Sequence, residues 1–408
     1  MAKDIKEIEV STKHLGLRIT GFVLALVIAV AAFGYGVSRI GHKDPGYYNI
    51  EADASDEVPF YRNGINLTYR FDGKSDEIKA EMNSLKAVYG SVLLSSYKLL
   101  DCDNEYSGYA NIATLNKNLG KEIELGDELM WIISDAYTKT LEKKGMNLFA
   151  GALISEWDSI LSLDELGDFD PADNPQIAKR LSELAEKTSE LSAFSITKTA
   201  ENKVKISIDS GYLEFLKSNG YTGSIITTGR MTEAYRLKLI RDELEKNGYT
   251  NGYLYSSSGL TLSLSGHDDG EYAIYGLDDE GDTIRYAGIT AGKNAASSFL
   301  RSFPLTKGET MYHDLGSGKY YNPNFSLETG SFPNQLLSGC TVRYDGDIVE
   351  ACYENIKFFS MESREEIEAS CSASSTFACI FISDPVLYTN GTTSVRAEKD
   401  ITVKEINK

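Results

Sequence analysis

The run from Ile19 to Val37 carries no charged residue and is about as long as a helix needs to cross the hydrocarbon core of a bilayer. Lys3, Lys6, Lys13 and Arg18 precede it, and Arg39 and Lys43 follow before a long acidic stretch. That basic flank puts the short N-terminus on the inner side. The pattern predicts a cytoplasmic segment 1–18, a single-pass transmembrane anchor 19–38 in the cell membrane, a linker 39–60 rich in Gly, Asp and Pro signals, and an extracytoplasmic domain 61–408. A cleaved signal peptide is the alternative, because Ala29, Ala31 and Ala32 offer small residues for processing; its apolar region is usually shorter, about 7–15 residues.

Beyond the linker, INLTYRFDG alternates like a strand, and the following SDEIKAEMNSLKAVYGSVLLSSY opens on a serine and an acidic pair before settling into helical spacing. A second helix is expected from Gly126 to Lys144, with Leu129, Ile132, Ile133, Ala136 and Leu141 on one face. A third spans about Asn174 to Leu191, burying Ile177, Leu181, Leu184 and Leu191. A fourth, Met231 to Asn247, stops at Gly248. Strands are expected at KVKISI, GYLYSS, GLTLSLSG, EYAIYGL, CTVRYDG, TFACIFI and TSVRAEKDITV, from period-two alternation and β-branched or aromatic enrichment. Helices come mainly early and strands mainly late, which predicts an α+β fold with mixed or antiparallel sheets flanked by helices.

Charge and composition narrow the partners. The 408 residues carry a formal charge of -19, so a nucleic-acid backbone, which needs a basic footprint, is excluded. Five cysteines without CxxC spacing argue against a structural zinc site and a complete disulfide framework. Cys371 with Cys379, or Cys340 with Cys352, are candidate pairs in an oxidising compartment, and buried free thiols are the alternative. His267 and His313 are too few for a histidine-rich metal centre, and no GxSxG, Walker A or Rossmann glycine string is present. Ser95-Ser96-Tyr97-Lys98 fits SxxK, but no KTG or SDN string accompanies it, so it reads as a helix face.

Four strings remain: Leu115-Asn116, Lys144 to Trp157 (KGMNLFAGALISEW), Thr228 to Gly248, and Tyr321 to Val342 (YNPNFSLETGSFPNQLLSGCTV). Their order and spacing resemble the FAD:protein FMN transferase (ApbE) family across residues 61 to 362. The family's GAFDPTVGPLxxLW aligns without a gap on the second string, keeping Gly151, Leu153 and Trp157, with its aspartate on Asn147. Its LDLGGIAKGYAVD falls on the third, keeping Gly229 and Tyr235, with its lysine on Glu233, the next glycine on Ala234, its aspartate on Lys238 and a later glycine pair on Ser257 and Ser258. Its YHHIxDPxTGxP falls on the fourth, keeping Tyr321, Thr329, Gly330, Pro333 and Thr341-Val342. Its ADALSTALF falls on VEACYENIKFF, with aspartate and threonine on Glu350 and Glu354.

The resemblance implies an ApbE-like flavin transferase fold behind the transmembrane helix, and a Mg²⁺-assisted transfer of FMN from FAD to a Thr or Ser of an exported flavoprotein or electron-transfer subunit. It implies a FAD/FMN site drawing on Asn116, Asn147, Gly229, Tyr235, Tyr321, Thr329 and Gly330, and a Mg²⁺ site at Glu350 and Glu354; it assigns no catalytic residue here. Phosphoryl transfer needs a hard cation on oxygen ligands, close backbone approach at glycines and a positive group near the phosphates. A glutamate for the lysine and serines for the glycines oppose that chemistry. Three expectations follow: an altered transferase, a non-catalytic flavin- or partner-binding module on the same scaffold, or a surface protein using the scaffold alone.

Overall fold

The computed structural model describes residues 25–26, 28–30, 42–55, 58–108, 110–267, 270–278, 280–316, 319–333, 336–383 and 385–406. The expected anchor lies almost wholly outside them. Among the described residues no helix is long and apolar enough to cross a membrane. The chain divides into two units, residues 1–46 with 71–82 and residues 47–70 with 83–408. In the first, the Lys43 backbone N–H donates to Ser75 Oγ at 3.0 Å, where the long helix α1 (Ser75–Leu100) begins with Asp76 and Glu77 in its first turn.

The second unit is built on one large sheet. Its strands are β1 (Gly46–Ile50), β2 (Ile65–Phe71), β3 (Gly252–Ser256), β4 (Leu260–Ser263), β5 (Ala296–Arg301), β6 (Ser338–Arg343), β7 (Ala378–Ser383), β8 (Val386–Thr389) and β9 (Thr402–Glu405). They lie side by side in the order in which they occur in the chain. The pairs from β2 to β8 are antiparallel, and β9 joins β8 in parallel. β1 falls inside the expected linker, with its last residue, Ile50, buried, so the sheet begins earlier than the composition of residues 39–60 implies.

After α1 the helices are α2 (Ile112–Lys117), α3 (Asp127–Leu141), α4 (Gly151–Leu161), α5 (Pro175–Ser189), α6 (Ser210–Ser218), α7 (Thr232–Lys246), α8 (Ile348–Ser360) and α9 (Arg364–Ala373). α5 starts where Asn174 accepts from the Gln176 and Ile177 N–H groups with Pro175 next, the usual arrangement for orphan N-terminal donors. α8 lies against β5 and β6, and α7 against β3, β4 and α8. On β6 alternate residues face opposite layers. Cys340 and Val342 join Ile274, Tyr286, Ile289, Ile380 and Leu387 in an apolar core, whereas Thr341 Oγ1 donates to Ala351 O of α8. Asn355 fastens that side, donating from Nδ2 to Ser298 O and Gly339 O, both at 2.9 Å.

The observed mixed α+β architecture agrees with the sequence, with differences in detail. TSVRAEKDITV is two strands: Val395–Ala397 pairs with Thr283–Ala291, and after a turn through Asp400 (φ 73°) β9 joins the main sheet. Asp400 takes the left-handed conformation that short polar side chains tolerate. Helices α2, α4, α6, α8 and α9 are additional to those expected. Leu141, assigned to the buried face of α3, is 52% exposed, and Lys139 takes the inner position instead. Cys371 and Cys379 form a disulfide between α9 and β7, while Cys340 and Cys352 are buried free thiols. Replacing both Cys371 and Cys379 by serine is expected to lower unfolding free energy by about 2–3 kcal/mol, as for a short closed loop, read as a lower midpoint in denaturant.

Candidate functional site

The four strings meet in space. In the first, Asn111 caps α2 through the Thr114 N–H and so fixes Asn116. Its Oδ1 accepts from the Ile225 and Ile226 N–H groups at 3.0 and 2.7 Å, and its Nδ2 donates to Ile226 O at 2.9 Å. The first string is thereby stapled to the segment that leads into the third. The second string joins the same segment: the Gly151 N–H donates to Ile225 O at 3.0 Å, and the Thr227 N–H to Leu148 O at 2.9 Å. A Cβ at Gly151 would collide with the Ser224 carbonyl oxygen, so α4 reaches this close only with glycine at its start. Asn147 turns the chain into α4, its Oδ1 accepting from the Phe149 N–H and its Nδ2 donating to Thr188 O.

Second and fourth strings meet at Trp157. Its ring is 5.3 Å from Phe325 and from Phe332 and 5.5 Å from Tyr321, and its Nε1 donates to Gly330 O at 3.0 Å. Gly330 sits at φ 68°, and a Cβ there would approach Leu181 O to 2.7 Å. The Tyr321 hydroxyl donates to Asp170 Oδ1 at 2.8 Å, and burial together with that carboxylate pushes its ionisation up. Thr329 is exposed and its hydroxyl shares a hydrogen bond with Ser331 at 2.9 Å.

Third and fourth strings meet at Arg230, which follows Gly229 (φ 50°). The guanidinium donates to Phe325 O and lies 4.7 Å above the Phe325 ring. Burial pushes its pKa down to about 10 against the pull of Glu328 and Asp158. Its Nη1 is buried with no hydrogen-bond partner among the described residues. Glu233 accepts from the Ser258 hydroxyl, which also shares a hydrogen bond with Ser256 at 2.9 Å. The two substituted positions therefore hold each other, and a carboxylate stands where the resemblance implies an ammonium.

The remaining polar centre lies between α3, α7 and α8. The Tyr235 hydroxyl donates to Asp135 Oδ2 at 2.6 Å, and burial followed by that carboxylate raises its ionisation well above the ordinary phenol. Lys139 Nζ donates to Asp135 Oδ1 at 2.9 Å and to Glu350 Oε1. It also lies 5.1 Å from the centre of the Tyr353 ring. Burial alone would lower the Lys139 pKa, yet the hydrogen bonds to Glu350 and Asp135 raise it. One turn on, Glu354 accepts from Lys357 at 2.8 Å.

The Mg²⁺ ligands that the resemblance implies are engaged by lysines here: Glu350 accepts from Lys139 and Glu354 from Lys357. Among the described residues no group of three His, Cys, Asp or Glu side chains is placed to hold a metal ion.

A cleft of about 890 Å³ opens beside these contacts. Lys143, Lys144, Ser326, Thr329, Glu354 and Lys357 line it, so the second and fourth strings and α8 contribute together. Lys143 and Lys144 are exposed at its rim. Glu328 is tied back, accepting from the Gly145 N–H at 2.7 Å and from Ser326 Oγ at 2.8 Å. Of the implied flavin-site residues only Thr329 lines this cleft. Asn116, Asn147, Gly229, Tyr235, Tyr321 and Gly330 shape the framework behind it.

Lys139 and Arg230 are the site residues that motif reasoning passes over. For Lys139 the signal is present, because it falls three residues after Ala136 on the apolar stripe of α3, four after Asp135. Arg230 has no such signal, since its burial arises from packing with Phe325.

No protein-family model matches the sequence, and no curated protein matches it. Among solved structures the chain is similar to the flavin transferase ApbE from Vibrio cholerae, at 10% identity and a TM-score of 0.55, over 87% of this chain and 98% of that one. It is similar to the ApbE protein from Thermotoga maritima at 11% identity and a TM-score of 0.54, over 86% and 97% of the two chains. A third likeness is to the Pseudomonas stutzeri flavinyl transferase ApbE in its apo form, at 10% identity and a TM-score of 0.52, over 88% and 96%. The chain has an ApbE-like flavin transferase fold.

Proposed function

We propose that this chain is a membrane-anchored, extracytoplasmic protein that binds a flavin nucleotide on a flavin-transferase fold, with transfer of FMN to a protein hydroxyl weakened or lost. The observation that carries the binding reading is the cleft of about 890 Å³ in that fold, lined by Lys143, Lys144 and Lys357 with Ser326 and Thr329, alongside the carboxylates of Glu328, Glu354, Glu362 and Glu366. Ammonium groups and hydroxyls are suited to phosphate oxygens.

Loss of transfer is supported by Glu233, whose carboxylate is bonded to Ser258, and by the capture of Glu350 and Glu354 by lysines. Export is supported by the Cys371–Cys379 disulfide, a bond that persists in oxidising compartments. The partner would be an exported flavoprotein or electron-transfer subunit. A second reading, an active transferase, draws on the meeting of all four strings in one framework.

The test uses the full chain with FAD, FMN and ADP, followed by flavin fluorescence. Saturable flavin binding is expected, weakened about tenfold or about 1.4 kcal/mol by Lys143→Glu together with Lys144→Glu. Incubation with FAD, Mg²⁺ and a threonine-containing acceptor domain is expected to leave that domain's mass unchanged. An acceptor that gains FMN would favour the active transferase, and no flavin binding at millimolar concentration would remove both flavin readings.

A further inference from the structure

A buried ammonium between two carboxylates from separate helices is an uncommon use of lysine, since burial of a charge is tolerated only with close partners. The Lys139 side chain is 5% exposed, against 23% for Asp135 and 34% for Glu350. α3 supplies Asp135 one turn before Lys139, and α8 supplies Glu350 in its first turn, after Asp347 has capped the helix through the Glu350 N–H at 3.0 Å. The outer oxygen of Asp135 is engaged by the Tyr235 hydroxyl, so its inner oxygen is turned to the ammonium. Glu142 lies on the same side and accepts from the Tyr353 hydroxyl at 2.8 Å. Two carboxylates thus hold the ammonium, and the Tyr353 ring lies 5.1 Å from it.

We propose that the Lys139 ammonium is the resident cation of this centre. It does the charge-balancing work of a divalent metal ion, makes the folded chain indifferent to such ions there, and by its presence denies them the Asp135 and Glu350 oxygens. The geometry carries this in two ways. One or two carboxylates with retained waters is the ordinary environment of Mg²⁺, and Asp135 with the partly exposed Glu350 supplies that environment once the ammonium is gone. With Lys139 in place, each carboxylate already has its cation, and a divalent ion would have to displace a protein group tethered beside it. The proposal does not depend on the flavin reading, because neither Lys139, Asp135 nor Glu350 lines the cleft.

The experiment follows thermal unfolding of the full chain in chelator and in excess Mg²⁺ or Mn²⁺. The unmodified chain is expected to show the same midpoint in all three. Lys139→Ala is expected to unfold at a lower midpoint in chelator and to recover by several degrees, saturably, with either metal. Adding Glu350→Gln to that variant is expected to abolish the recovery. A Lys139→Ala chain that folds and is indifferent to metal would overturn the proposal. Should Lys139→Ala not fold, the unmodified chain decides by Mn²⁺ titration followed by electron paramagnetic resonance. An unchanged free-ion signal supports a resident ammonium; one equivalent of Mn²⁺ bound and lost with Glu350→Gln overturns it.

Discussion

Replacing Trp157 by alanine is expected to cost about 3–5 kcal/mol of unfolding free energy, the usual loss for truncating a large buried aromatic side chain. The ring is 2% exposed and contacts Tyr321, Phe325 and Phe332 together. Its removal leaves a void that Gly330, pressed against Leu181 O, cannot move to fill. The Gly330 carbonyl also loses the donor that satisfies it. Urea unfolding monitored by far-ultraviolet circular dichroism measures the loss. Trp157→Phe should recover much of the packing but not the Nε1 hydrogen bond, a difference of about 1 kcal/mol. If alanine is tolerated within about 1 kcal/mol, the α4 to fourth-string junction does not organise the site.

Asn116→Ala is expected to destabilise the chain by about 2–4 kcal/mol, because two backbone N–H groups lose their acceptor and each unsatisfied buried group costs about 1–3 kcal/mol. The resemblance assigns Asn116 to a flavin site, whereas here both ends of its side chain are engaged by the 225–226 backbone and Cys102 O. The two roles separate cleanly. A binding residue would lower flavin affinity at unchanged stability, while the staple described here lowers the unfolding midpoint with or without flavin. Asn116→Asp keeps the acceptor and loses the donor, so it should fall between alanine and the unmodified chain.

Much of this arrangement is written locally. Alternation finds β2, β3, β4, β6 and β7, and the spacing of four strings points to the framework that Asn116, Gly151, Trp157 and Gly330 build. What escapes is information held between distant residues. Glu350 reads as a metal ligand because nothing nearby in sequence shows that Lys139, 211 positions earlier, closes on it. α8 escapes for a different reason. Its residues from Ile348 to Phe359 are buried on most sides, so no polar stripe marks a helical period. Residues 393–403 read as one strand because a turn at Asp400 leaves the alternation nearly intact. Leu141 falls off the inner face of α3 because the helix ends there, and the register passes to Lys139.

The ordering of the main sheet, in which every strand lies beside its predecessor, bears on how the chain acquires its structure. A polypeptide delivered N-terminus first can add each strand to an edge that is already laid, without threading one strand between two others. The helices between β2 and β3 form an excursion that must return to a waiting edge, and this long loop is the slow step that topology imposes. β9 completes the sheet, exposed along its whole length and carrying Lys404 and Glu405. Charge on that final strand discourages a second chain from continuing the sheet. The main sheet therefore presents this edge in a form poorly suited to aggregation.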